Sequence, residues 1–133
     1  MPSGTTTSPI ACVSGSLDAV DVDLLVLPWF EDEAPTAVPG LDAATAGQLT
    51  RALARKEFRA KPFEVFLTPV SERNWRARRV ALVGAGRRSD AGSDRLRKLA
   101  TLAGLVARQK QEGSVAFAIR GEGQVDALAQ AVA

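Results

Sequence analysis

The residues with the most suggestive spacing for chemistry are two glycines that follow an apolar run. Arg79 to Val83 is predicted to be a buried strand, it leads into Gly84-Ala85-Gly86, and a long helical pattern begins near Ser93. A glycine-rich turn between a strand and a helix can present backbone N–H groups to a phosphate. A dinucleotide-binding motif, however, would have a third glycine where this chain has Ser89, and an acidic residue about 20 residues further on. Positions 107–111 contain no acidic residue, so a tight, closely packed turn is favoured over a phosphate site.

A basic cluster with an aromatic residue inside it is the second candidate. It consists of Arg73, Trp75, Arg76, Arg78, Arg79, Arg87 and Arg88. Arginine beside an aromatic ring is suited to phosphate and base contacts, and it is equally the composition of a protein–protein interface. A third interpretation is a solvated loop whose arginines pair with nearby carboxylates. The net charge of +2, from 17 basic and 15 acidic residues, is too small to indicate nucleic-acid binding by itself.

The remaining reactive residue types do not form a site. Glu31, Asp32 and Glu33 are adjacent in a proline-bounded stretch, and carboxylates placed so point in different directions, which favours a solvated loop over a metal site. Cys12 is the only cysteine and lies in an apolar run, so it is predicted to be a core residue. The chain has no His, which excludes Ser–His and Cys–His nucleophiles. We therefore expect no catalytic, cofactor-binding or metal-ligating residues in this chain.

The hydrophobic pattern places these candidates on alternating strands and helices. Strands are predicted over Ile10 to Val13, Leu24 to Phe30, Phe63 to Val70, Arg79 to Val83 and Ser114 to Arg120, and helices over Leu41 to Glu57, from about Ser93, and over Gln124 to Ala133. The unbroken apolar run of the second strand indicates a strand covered on both faces. Pro28 predicts that regular pairing stops there, or that this strand lies at an edge. The alternation predicts a three-layer α/β/α domain with a mixed, mostly parallel sheet.

Two helices carry apolar stripes at spacings of three and four residues. The stripe of the first is Ala46, Leu49, Leu53 and Ala54, and that of the second is Leu96, Leu99, Ala100, Ala103, Val106 and Ala107. Such stripes are typical of helices packed on a sheet. Each helix is therefore predicted to cover part of the core.

The length of 133 residues and the 46% hydrophobic content indicate one domain with a packed core. Residues 1–8 are predicted to be a flexible tail and residues 9–133 a single domain. The tail has no basic start and no apolar segment, so it is not typical of a secretory signal, and no run approaches the ~18–20 apolar residues of a membrane span. We expect a cytoplasmic protein. The last helical pattern continues to Ala133 without an end signal, which suggests a piece of a longer polypeptide.

Three stretches in series resemble one family. Leu53 to Glu64 is similar to a segment usually written R-G-E-F-x-G-K-x-G-E, Arg79 to Arg88 to R-V-L-L-V-G-L-G-K, and Leu96 to Ala100 to L-R-K-A-A. Their order and separations resemble the N-terminal domain of the leucyl (cytosol) aminopeptidases. In this context Gly84 and Gly86 are family markers.

Three positions depart from the family pattern. Lys56, Ala60 and Phe63 stand where the family has glycines. The departures lie before or at the start of the third predicted strand. They concern the geometry of a turn and leave the resemblance of the fold unchanged.

The resemblance implies a macro-domain-like fold and a non-catalytic role in the assembly and regulation of a metal-dependent aminopeptidase. The family's two divalent metal ions, zinc or manganese, and its catalytic residues belong to a separate C-terminal domain, which would be missing from this chain. No family catalytic motif such as N-T-D-A-E-G-R occurs here, so no catalytic residue is carried over. The implied partners are the catalytic domain, sibling subunits of a hexamer and, in some bacterial members, DNA, but no membrane.

Two alternatives remain open. The basic cluster could make the chain a nucleic-acid-binding module. The similarity to macro domains could make it an ADP-ribose-binding domain, but Pro28-Trp29-Phe30-Glu31 occupies the place of an Asn-rich loop and Asn74 is the only Asn. The second alternative is therefore disfavoured.

Overall fold

A five-stranded mixed sheet forms the centre of the computed structural model, which describes residues 11–13, 17–87, 89, 92–109 and 113–118. The strands are β1 (Ala11–Val13), β2 (Leu24–Phe30), β3 (Val65–Pro69), β4 (Arg79–Gly86) and β5 (Val115–Ala118). Their spatial order is β1-β5-β2-β4-β3. All pairs are parallel except β3 and β4, which are antiparallel. The predicted mixed, mostly parallel sheet is confirmed.

The central strand, β2, is buried along its whole length. Leu25, Leu27 and Trp29 pack into the core on one face, and Leu24 and Val26 pack into the core on the other. A strand covered on both faces needs no polar alternation, which explains its continuous apolar sequence. The prediction of two covered faces is confirmed.

The prediction for Pro28 is wrong, because this residue neither ends the pairing nor marks an edge. Pro28 lies opposite Val83 in the ladder to β4, and that ladder continues to Phe30. On the other side, the paired residues of β5 face only Leu24 to Val26. Pro28 therefore lies beyond the part of β2 that pairs with β5, so its missing N–H interrupts no described pairing with that strand.

One face of the sheet is covered by two short helices, α1 (Leu41–Ala44) and α2 (Gln48–Ala54). The predicted continuous helix to Glu57 is wrong, because Ala46 and Gly47 have left-handed φ angles of 57° and 77°. Asp42 spans the break and accepts hydrogen bonds from the backbone N–H (2.9 Å) and the hydroxyl (2.6 Å) of Thr50.

The break also changes which side chains reach the core. The buried residues are Leu41, Ala44, Leu49 and Ala52. Ala46 and Ala54 of the predicted stripe are exposed, and Leu53 is only partly buried. The predicted stripe is therefore wrong at Ala46 and Ala54, since the break at Ala46 changes the buried face, whereas Leu49 is buried and Leu53 packs against the core as predicted.

The other face is covered by one long helix, α3 (Ser93–Gln109). Its buried residues are Leu99, Ala100, Ala103 and Val106, which pack on β2, β4 and β5. This confirms the predicted stripe at those positions, whereas the side chains of Leu96 and Ala107 lie outside the description. Helices on both faces confirm the three-layer α/β/α architecture.

Several predicted boundaries differ from the observed ones. β3 begins at Val65 rather than Phe63, because Phe63 has a φ of 70° that no strand residue adopts. The predicted tail (1–8), the end of β5 beyond Ala118 and the helix predicted from Gln124 lie outside the described residues. Among the helices that are described, none has the length and apolar character to cross a bilayer.

Candidate functional site

The glycine motif lies inside the end of β4 rather than in a turn into a helix. Gly84 and Gly86 are β4 residues, and α3 begins only at Ser93. A Cβ atom on Gly84 would lie 1.9 Å from the carbonyl oxygen of Lys61. Gly86 has a φ of +74°, and a Cβ there would lie 2.9 Å from Pro62 Cγ. The predicted βα turn is wrong, whereas the close packing expected of these glycines is confirmed.

The chain segment packed on these glycines is residues 56–64, which we call the strap. The Gly84 N–H donates to the carbonyl of Glu64 (2.7 Å), and the Gly86 N–H donates to the carbonyl of Ala60 (2.9 Å). In return, the Gly84 carbonyl accepts a hydrogen bond from the N–H of Phe63 at 2.9 Å. Both glycine N–H groups are therefore used within the chain and are not accessible to a phosphate.

The strap keeps a glycine-type backbone without containing any glycine. Lys56, Ala60 and Phe63 have φ angles of 59°, 59° and 70°, and these are the three positions that depart from glycine in the family resemblance. A left-handed conformation at a residue with a side chain costs roughly 1–2 kcal/mol. The strap therefore stores strain that other contacts must offset.

The carboxylate of Glu64 supplies part of that compensation. Its Oε1 atom accepts hydrogen bonds from the backbone N–H groups of Arg59 (3.1 Å) and Lys61 (2.9 Å). Arg95 adds a contact from α3, because its Nη1 donates to the Ala85 carbonyl at 2.6 Å and its guanidinium lies 5.7 Å from the Phe63 ring centroid. Contacts within the strap and with α3 therefore hold the strap against the end of β4.

The acidic stretch after β2 is tied to the same end of the sheet. The N–H of Glu31 donates to the Gly86 carbonyl at 3.0 Å, and its carboxylate pairs with Lys61 Nζ at 3.3 Å. Glu33 accepts a hydrogen bond from the N–H of Phe30 at 2.9 Å. An open depression of about 400 Å³ lies between Glu31, Asp32, Arg87 and Ser89. Within the described ranges, no group of three or more Asp, Glu or Cys side chains could hold a metal ion.

The predicted basic cluster does not form one surface. Trp75 is buried in the core beside α1 and α2, with 6% of its surface exposed, so it cannot stack on a base. Arg73, Arg76 and Arg78 precede β4, whereas Arg87 follows its other end, roughly 25 Å away at about 3.3 Å per strand residue. Arg88 lies outside the described residues. The prediction of a single patch is wrong, and contact with nucleic acid through Arg73 and Arg76 stays an untested prediction.

Asp23, which is not among the site residues predicted from the sequence, joins three strands at the opposite end of the sheet. Its Oδ1 pairs with Arg78 at 2.8 Å, and its Oδ2 accepts hydrogen bonds from the N–H groups of Gly113 (3.0 Å) and Ser114 (3.1 Å). The Ser114 hydroxyl accepts a hydrogen bond from the Asp23 N–H at 2.9 Å. An aspartate before a strand is the only local sign of this contact, since its partners are up to 91 residues away.

Two of the three comparisons with known proteins give matches, one to a family model and the other to solved structures. The model of the N-terminal domain of the cytosol aminopeptidase family matches residues 26–133. No curated protein sequence matches the chain. Among solved structures, a mutant of tomato leucine aminopeptidase is similar, with a TM-score of 0.71 and 18% sequence identity, which supports the same fold. That match covers 98% of this chain and 29% of the tomato chain, so this chain spans less than a third of that protein's length.

Proposed function

Because the chain belongs to the cytosol aminopeptidase family, whose N-terminal domain it matches over residues 26–133, we propose that it is a non-catalytic domain serving the assembly and regulation of a metal-dependent leucyl aminopeptidase. The family match is the observation that carries this proposal. Peptide hydrolysis then belongs to a separate C-terminal domain. The partners of this chain are that domain and sibling subunits.

The carboxyl end of β4, which the strap covers, supports a structural role for this domain rather than nucleotide binding. In open α/β sheets, ligands usually bind at the carboxyl ends of the parallel strands. Here the N–H groups of Gly84 and Gly86 at that end donate to Glu64 and Ala60. An ADP-ribose phosphate would have to displace the strap before it could reach those groups.

The family's two divalent metal ions, zinc or manganese, are assigned to the separate catalytic domain. Such ions polarise a carbonyl group and lower the pKa of bound water. The described residues of this chain do not fit them, because no three of their Asp, Glu or Cys side chains are grouped so that they could hold a metal ion. No step of hydrolysis is therefore derived for this chain.

A peptidase assay tests the non-catalytic role directly. We expect the purified chain to hydrolyse no leucine-p-nitroanilide with added zinc or manganese, while tomato leucine aminopeptidase serves as the positive control. Metal-dependent turnover that co-purifies with the folded chain would overturn the proposal.

The coding sequence provides a second test, which concerns the catalytic domain. We expect the reading frame to continue past codon 133 into a domain rich in the metal-ligating Asp, Glu and Lys residues of the family. A stop codon directly after Ala133 would contradict a catalytic domain in the same polypeptide.

A further inference from the structure

β3 is an edge strand with an unpaired outer side. It pairs with β4, and no other strand in the part of the chain that the structure describes lies beside it. Native proteins usually protect such edges with charged residues, prolines or a covering segment. β3 contains no charged residue between Val65 and Pro69, so Pro69 is its only built-in protection.

The hydrogen-bond pattern shows which backbone groups of β3 point outward. Gly84 donates to the carbonyl of Glu64, and Val70 donates to the carbonyl of Arg78, so the even-numbered residues of β3 are those bonded to β4. In an antiparallel ladder the alternate residues point away, so the N–H and C=O groups of Val65 and Leu67 face outward. Pro69 has no N–H group.

The outer edge is flanked by apolar side chains. Two of the three exposed large hydrophobic residues among those described lie here, Phe63 (42%) and Val65 (40%), whereas the third, Leu105, belongs to α3. Val65 shares the α3 face of β3 with Leu67, which packs against the core on that face. Phe63 lies directly before β3 and contacts Arg95 of α3. Outward backbone groups and exposed apolar side chains therefore coincide at one edge of the molecule.

We propose that this edge pairs antiparallel with β3 of a second copy of the chain, about a two-fold axis at Phe66. The inference rests on the proposed function and deepens it, since it identifies the surface through which the domain would contribute to assembly. The edge is complementary to itself: Val65 would lie opposite Leu67 of the second copy, and the reciprocal pair would form by symmetry. All four outward N–H groups and four C=O groups would then be bonded.

Register and charge both favour this arrangement. An axis at Leu67 would form as many bonds but would leave the Val65 carbonyl opposite Pro69, which has no N–H to donate. The axis at Phe66 leaves over only the Pro69 carbonyl, which already accepts a hydrogen bond from the Thr68 hydroxyl at 3.3 Å. It also places the two Phe66 side chains opposite each other, and aromatic cross-strand pairs are favourable. Glu64 would face the uncharged Thr68, and the net charge of each chain is only +2, so the copies repel each other weakly.

Sedimentation equilibrium between 1 and 500 μM tests the pairing. A ladder this short gives an interface at the small end of the specific range, so we expect a monomer–dimer equilibrium with a Kd on the order of 10–100 μM. Val65→Pro removes an outward N–H without removing a bond to β4, and we expect it to weaken the dimer at least about tenfold. Val65→Lys, which places a charge on the edge, should do the same. Val65→Thr keeps the N–H and the branched shape and is the matched control.

Disulfide trapping in a Cys12→Ser background tests the register. A mixture of the Val65→Cys and Leu67→Cys chains should form a cross-linked heterodimer, because these positions lie directly opposite each other. Val65→Cys alone should cross-link at least about tenfold less, since the two residues at position 65 would be diagonal, about 7–8 Å apart. Efficient cross-linking of Val65→Cys alone would overturn the register.

The remaining outcomes each decide the inference. A wild-type chain that is monomeric at 500 μM overturns it, as does a dimer that persists in both Val65→Pro and Val65→Lys. A monomer that instead binds an extended valine- and threonine-rich peptide at β3 would assign the edge to a peptide partner. None of these results bears on the peptidase assay, so the proposed non-catalytic role can stand if this inference fails.

Discussion

The carboxyl end of β4 and the outer edge of β3 lie a few residues apart and are built in opposite ways. At the first, the N–H groups of Gly84 and Gly86 are bonded to the strap. At the second, the N–H groups of Val65 and Leu67 point away from the sheet. The motif that looks most like a binding site is therefore occupied by its own chain, and the capacity for new backbone hydrogen bonds lies on a strand with no recognisable motif.

The two regions also differ in backbone strain. The strap holds Lys56, Ala60 and Phe63 in left-handed conformations, and such strain persists only where the surrounding contacts over-determine it. None of the β3 residues Val65 to Pro69 has a positive φ. The difference implies that substitutions in the strap and at Gly84 change folding stability, whereas substitutions on the edge change association.

The largest expected effect is that of Gly84→Ala. The new Cβ would lie 1.9 Å from a backbone oxygen of Lys61, so the strap would have to move, and we expect a loss of about 3 kcal/mol or more in the free energy of unfolding. Urea denaturation measures this loss. Gly92→Ala is the control, because a Cβ there meets nothing within 4 Å. Equal stability of the two variants would show that the strap does not close on β4.

A smaller loss is expected for Glu64→Ala. The substitution removes the acceptor for the N–H groups of Arg59 and Lys61, and we expect a cost of about 1–2 kcal/mol by urea denaturation. Glu64→Gln keeps an acceptor oxygen and should lose less than half of that amount. A Gln variant as unstable as the Ala variant would mean that charge, rather than hydrogen bonding, holds the strap.

Lys56→Gly should change stability in the opposite direction. Lys56 is exposed and has a φ of 59°, so glycine relieves backbone strain without losing buried surface. The gain is offset in part by the greater freedom of glycine in the unfolded chain, and a net stabilisation of about 0.5–1 kcal/mol is expected. Lys56→Ala keeps the strain and should show no gain. If the Ala variant is stabilised as much, strain is not the cause.

The smallest effect on folding is expected for Val65→Lys. Thermal and urea unfolding at about 1 μM, where the chain is monomeric in our proposal, should give a free energy within about 0.5 kcal/mol of the wild type. The side chain is 40% exposed, and the lysine stem can lie along the apolar edge. A loss of unfolding free energy comparable with that of Glu64→Ala would mean that Val65, like the strap, contributes to folding stability.

Local periodicity predicted the elements whose burial follows a simple repeat. Burial of α3 and β2 can be read from their own sequences. A helix or strand with a buried face must repeat its apolar residues, as the α3 stripe from Leu99 to Val106 and the apolar run of β2 do. The three-layer fold follows from the order of such elements. The family resemblance identified Gly84 and Gly86 as family markers, whereas a GxG pattern by itself is too common to indicate a family.

The predictions failed where a distant contact determines the local conformation. Gly47 was compatible with a continuous helix, since isolated glycines are tolerated in helices, and the break depends on Asp42 reaching Thr50. Trp75 has arginines as sequence neighbours but packs in the core. Residue propensity gave no sign of the strap, because Lys56, Ala60 and Phe63 rarely adopt the φ angles that they have here. The only sign was that the family resemblance has glycines at these three positions.

The position of β2 has a consequence for how the chain folds as it is synthesised. Asp23 at its start contacts Arg78 and Ser114, which are 55 and 91 residues later in the chain. Such long-range pairing slows folding. Because β2 precedes β4 and β5 in the chain, it leaves the ribosome as an apolar strand long before either neighbour has been synthesised. β5, the last described strand, is also the only described link between β1 and the rest of the sheet. A nascent chain that stalls before residue 115 therefore exposes the side of the apolar strand β2 that β5 would cover.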